Sequence, residues 1–208
     1  MQKPATLNVV FMAHLGYPRG MAGTQLLQNL MDALQAEAGV TPQMLVLRQG
    51  RDFAADNPTS GVHKGVEYHT LGAGLRPGLS SVIGLPGYIR EGLGLLRRWH
   101  RPDAKNILFV YGPPSTDNLV FVFRARRIGY RVVFYLVEDI RVQGHAKDFF
   151  ARVKHASAVF LTRRIGRLAD AVLVISRRLQ DQIEPLVGDR CPVRRLPICV
   201  NLDEIAVT

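Results

Sequence analysis

The sequence is poor in cysteine, in long apolar runs, in aromatic residues and in acid, and each shortage removes a class of protein. Two cysteines, Cys191 and Cys199, in 208 residues are too few for a disulfide framework, and no histidines accompany them at zinc-ligand spacing. Incidental thiols and no metal site are therefore expected. No stretch reaches the roughly 20 apolar residues that cross a bilayer, because Pro113, Pro114, Asp117 and Asn118 interrupt the best candidate, 107 to 123. The apolar stretch Leu7 to Met12 is short, follows a single lysine and ends on no small-residue cleavage site, so it does not read as a signal peptide. The expectation is a cytoplasmic protein that does not span a membrane. Aromatic residues make up 8% of the chain and form no stacking pattern, which argues against a nucleic-acid-binding domain.

What is present is a large apolar fraction, 47%, enough for the core of one α/β domain. Short runs rich in Val, Ile and Phe predict strands at 7–13, 43–47, 66–71, 106–111, 131–137 and 171–176, with a last short one at 193–198. Apolar residues returning every three or four positions predict helices at about 23–38, 82–99, 116–128, 145–168 and 177–187. Strands alternating with amphipathic helices read as a doubly wound, Rossmann-like α/β fold with about seven mostly parallel strands. The stretch 49–65 reads as an exposed loop. In such a fold ligands sit beyond the carboxyl ends of the strands, where the strand order reverses. That rule gathers Gly20, Gly23, Gly112 and Glu138 on one rim.

Each candidate residue there has a functional and a structural reading. After the first strand, Gly16, Gly20 and Gly23 precede a helix opening near Thr24. They would let backbone N–H groups approach a phosphate at a helix N-terminus, or merely turn a tight corner. The spacing is neither G-x-G-x-x-G nor G-x-x-x-x-G-K-[ST], so NAD and ATP readings lose ground and no cofactor is expected. Glu138 and Asp139 place two carboxylates at the sheet edge, of which at most one can face a substrate while the other caps or bridges. His14, beside a strand end, is a contact or a packed histidine. Gly112 belongs to a Pro-stiffened turn, Tyr111 to Ser115, suited to a cleft wall. Ser176 and Arg177 open a helix, where Ser176 fits an N-cap as well as a substrate contact.

The formal charge is +10, much of it in Arg pairs, which suits a polyanionic partner or simply solvated helix faces. Residues 75–101 set Leu, Ile, Tyr and Trp against arginines. Arg90, Arg97, Arg98 and Arg101 would meet anionic lipid, with Trp99, Ile89 and Leu95 inserting. The competing reading is a crossover helix whose Trp99 packs on the sheet.

Taken together, these pieces resemble the N-terminal, acceptor-side domain of GT-B glycosyltransferases, particularly the retaining family four. The most specific stretch is LADAVLVISRRLQDQI, 168–183, similar to the family's Ala-Asp pair, apolar strand, serine and helix. VRRLPICVNLDEI, 193–205, resembles its interdomain crossing, with Leu196, Pro197, Val200 and Asn201 fitting, and with Ile198 and Cys199 where Asn and Gly are usual. Glu138-Asp139 occupies the place of a frequent His-Asp, and the family's adjacent Gly-Gly pair is absent from the first loop. The resemblance implies an acceptor-side domain over 1–197, the start of the crossing at 198–208 and a donor domain not included. It implies transfer from a nucleotide-sugar donor, bound mainly by that missing domain, to a glycan or polyprenyl-linked acceptor; the residues themselves add peripheral contact to an anionic membrane and no nucleic-acid partner. A free-standing module that binds a phosphorylated or lipid-linked sugar is the alternative.

Overall fold

The computed structural model describes residues 6–37, 39–47, 57–72, 84–139, 149–189 and 191–198. Eight strands form one sheet: β1 (Leu7–Ala13), β2 (Val40–Val46), β3 (Ser60–His63), β4 (Val66–Thr70), β5 (Lys105–Tyr111), β6 (Arg131–Leu136), β7 (Ala171–Val174) and β8 (Val193–Arg195). Their order is β3-β4-β2-β1-β5-β6-β7-β8. Every pairing is parallel except that of β3 with β4. The chain winds outward from β1 in both directions, so the order reverses between β1 and β5.

The helices are α1 (Ala22–Ala36), α2 (Leu85–Trp99), α3 (Thr116–Ile128), α4 (Phe149–Thr162), α5 (Ile165–Leu168) and α6 (Arg177–Val187). Right-handed crossovers put α1 on one side of the sheet and α2 to α6 on the other. The alternating strand residues record this division. Val9 and Phe11 pack with Leu27 and Met31 of α1, whereas Val132, Phe134, Val172 and Val174 pack with Leu96, Phe121, Ile165 and Ile183 of the multi-helix side. These four β6 and β7 residues have no exposed surface. On the α1 side the same strands present Val133 and Leu173 only half-buried. At the amino edge, Asn8 Nδ2 donates to the Trp99 carbonyl and to Asn106 Oδ1, both at 2.7 Å, which fixes the end of α2 to β1 and β5.

Two sequence expectations change. Residues 60–63 of the expected loop form an edge strand, antiparallel to β4 through a turn in which Lys64 and Gly65 both have positive φ, 48° and 79°. Its Ser and Gly residues and the 71% exposed Val62 give it no apolar signature, as suits an edge. The single helix expected at 145–168 is divided: within the described residues α4 ends at Thr162 and α5 begins at Ile165. Gly166 explains the local packing, since a Cβ there would lie 2.7 Å from Val187 Cα; α5 abuts the end of α6 backbone to backbone.

Candidate functional site

The carboxyl ends of β1, β5, β6 and β7 lie side by side, and the expected residues follow them onto one rim. The first segment, 14–21, is pinned by its own hydrogen bonds. Thr24, 3% exposed, donates its hydroxyl to the Gly16 carbonyl at 2.6 Å. Gln28 Nε2 donates to Pro18 O at 2.8 Å, and Asn57 both accepts from Arg19 N at 2.9 Å and donates to Arg19 O at 2.7 Å. Gly20 is needed because a Cβ would run into the Gly16 carbonyl and Thr24 Oγ1. At Gly23 a Cβ would lie 2.8 Å from the Tyr111 hydroxyl, so the start of α1 sits against that ring. The N-terminus of α1 thus rests on the end of β5, and its partial positive charge faces the reversal point. His14 is exposed at the exit from β1.

Tyr111 connects this segment to the next strands. Its ring lies 6.1 Å from that of Tyr135 on β6, and burial together with the Glu138 carboxylate raises its phenol pKa. It is a neutral hydroxyl at neutral pH. Gly112 then turns the chain with φ +95° and donates to Tyr135 O at 2.8 Å.

Beyond β6 and β7 the rim opens into a cleft of about 380 Å³ lined by Val137, Glu138, Asp139, Ile175, Ser176, Arg178, Leu179 and Gln182. Its floor is apolar and its walls carry two carboxylates, a guanidinium and an amide. A smaller pocket of about 70 Å³ continues from Glu138 and Asp139 between α4 and α6, past Val159, Thr162 and Ile183. Ser176 caps α6, its Oγ accepting from Leu179 N at 3.3 Å, while standing on the cleft edge. Arg177 is exposed on the first turn of α6; the arginine that lines the cleft is Arg178. Arg178 and Gln182, four residues apart, share one side of a helix, and that spacing was the signal in the sequence that could have singled them out.

The membrane-facing assignment requires a correction. Trp99 is 5% exposed and Leu95 7%, both within the multi-helix core, so neither reaches a bilayer. The helical phase of Gly92, Leu95, Leu96 and Trp99 turns them inward together. Arg98 pairs with Glu67, and Arg101 Nη1 donates to Thr41 Oγ1 at 3.0 Å. Arg90 and Arg97 remain beside Leu85, Pro86, Ile89 and Leu93 in an open groove along α2. No helix among the described residues is long and apolar enough to cross a membrane. Cys191 is buried with its thiol pKa raised by burial; Cys199, Val200 and Asn201 lie outside the described residues.

Solved structures share this fold at low sequence identity. A sucrose-phosphate synthase from Thermosynechococcus elongatus superposes with a TM-score of 0.57 at 15% identity, over 93% of this chain and 90% of that one. A UGT transferase from Siraitia grosvenorii in complex with UDP matches at 0.49 and 11% identity, over 89% of this chain and 47% of its own. MurG of Acinetobacter baumannii matches at 0.48 and 12%, over 89% and 45%. The chain thus spans less than half the length of the last two. No curated protein sequence matches significantly. The family model of the glycosyl transferase 4-like domain matches residues 23–199, from the start of α1 past the end of β8, and the chain belongs to that family.

Proposed function

We propose that this chain is the acceptor-side half of a glycosyltransferase that moves a sugar from a nucleotide-sugar donor to a glycan or polyprenyl-linked acceptor. The observation that carries the reading is the continuity of the rim, from the α1 N-terminus through Tyr111 to the cleft at Glu138, Asp139 and Arg178. Family membership supports the reaction class, and the geometry supports a division of labour. On the first side, the α1 N-terminus and the Gly20 to Thr24 backbone offer positive potential to a departing diphosphate, whose negative charge grows as the glycosidic bond breaks. On the second, carboxylates and amide can hold acceptor hydroxyls over an apolar floor, and Arg178 can meet an anionic substituent.

In this reading the donor is held mainly by a second domain following the crossing at 198–208, transfer proceeds with retention, and the work is done at the inner face of an anionic membrane. The test compares the 208-residue chain with a longer protein carrying a donor domain, using labelled nucleotide sugars and polyprenyl-phosphate-linked acceptors. The expected outcome is turnover only with both domains, and a raised acceptor KM for Arg178→Gln. Turnover by the isolated chain would overturn the half-enzyme reading.

A further inference from the structure

We infer that the outer surface of the helical layer formed by α2, α3 and α4 is a docking face for an anionic lipid bilayer. The inference rests on the membrane part of the proposed function, but relocates the contact from the Trp99 segment to three helices. All three lie on the same side of the sheet, and α3 touches both of its neighbours. Their outward surfaces repeat one arrangement: an apolar side chain with an arginine one turn later. Phe123 precedes Arg127 on α3, Phe160 on the last turn of α4 precedes Arg164 just beyond that helix, and the half-buried Leu93 precedes Arg97 on α2. Phe123 is 52% exposed and Phe160 53%, large values for phenylalanine. The Arg164 guanidinium lies 3.7 Å from the Phe160 ring centroid.

The charge is one-sided. Glu91 and Asp117 are the only acidic residues in the three helices, and Glu91 is bonded to His69 at 2.6 Å. Arg97 and Arg127 make no ion pair among the described residues. Three parallel helices at roughly 10 Å spacing make a broad surface. Exposed rings interleaved with arginines fit a headgroup layer, where the rings sink a few ångströms and the cations stay at the phosphates. A second copy is a poor occupant, since a chain of net charge +10 repels itself. In this orientation the carboxyl rim stands beside the membrane plane, within reach of a lipid-linked acceptor.

The experiment is co-sedimentation of the whole chain with phosphatidylglycerol–phosphatidylcholine vesicles at low and high salt, with pure phosphatidylcholine vesicles and duplex DNA as parallel arms. The expected result is binding to anionic vesicles alone, reduced by salt. It should fall roughly thirtyfold in Arg127→Gln/Arg164→Gln, which removes two cations, and at least tenfold in Phe123→Ser/Phe160→Ser, with the circular dichroism of both unchanged. Binding that both double variants retain, but that Arg90→Gln/Arg97→Gln abolishes, would overturn this face in favour of the edge of α2. DNA binding equally weakened by loss of the arginines, with vesicle binding absent, would overturn the lipid assignment. Sugar transfer to a soluble acceptor by a longer protein carrying the donor domain would survive either result, so the two readings fail separately.

Discussion

The two lobes of the carboxyl rim obey the same topological rule and are built oppositely. Between β1 and β5 the chain is filled with its own hydrogen bonds: Thr24 to Gly16, Gln28 to Pro18, Asn57 to Arg19. Tyr17 lies beneath it at 1% exposure. Between β6 and β7 lies an open cleft whose Glu138, Ser176 and Arg178 are exposed. A strand end therefore becomes a ligand site in either of two ways: by presenting fixed backbone, or by leaving charged side chains room. The first way should cost stability when disturbed, and the second should not.

The largest expected effect is Gly20→Ala. The new Cβ meets a carbonyl oxygen, which cannot rotate aside as a side chain can, and it presses on the Thr24–Gly16 bond. Overpacking of this kind costs about 1–3 kcal/mol, and a weakened buried hydrogen bond adds about 1 kcal/mol. For a chain of this size each kcal/mol is worth about 2–4 °C, so a melting scan should show a fall of roughly 5–10 °C. An unchanged melting temperature would mean that the first lobe is not rigid and would remove the contrast.

How much of this was legible in the sequence follows the same division. The central strands were readable because a parallel sheet covered by helices demands continuous apolar runs, as in NILFVY of β5 and RVVFYL of β6. The edge strand β3 was not, because Ser60, Gly61 and exposed Val62 face no core. The rim residues were located by topology alone. The pinning of Gly20 was invisible, since its neighbour Gly16 O is brought there only by the folded turn. Arg178 was missed in favour of Arg177 because adjacent arginines look equivalent until helical phase separates them. Trp99 was misassigned for a related reason: composition suggested an interface, whereas its phase with Leu95 and Leu96 points it into the core.

An intermediate effect belongs to Ser176, which stands on both sides of the comparison. It lines the open cleft and caps α6 through Leu179 N at 3.3 Å. Ser176→Ala should destabilise the fold by about 1 kcal/mol, seen as a lower urea midpoint with unchanged slope, and Ser176→Asp should restore it. A Ser176→Ala protein as stable as the parent would make Ser176 a residue of the cleft alone.

The smallest effect on stability, and the sharpest test of the comparison, is Arg178→Gln. Arg178 makes no hydrogen bond or ion pair among the described residues, although it shares a cleft with Glu138 and Asp139. Its flexible stem gains nothing from being fixed, and an exposed charge of this kind rarely contributes more than about 0.5 kcal/mol. Urea unfolding of Arg178→Gln should therefore overlay that of the parent. A loss above about 1 kcal/mol would show that the guanidinium is bound to the carboxylates of its own cleft. The second lobe would then be closed by its own charges as the first is by its hydrogen bonds, and the two would no longer differ in kind. With stability unchanged, any rise in acceptor KM for this variant reads directly as a lost ligand contact.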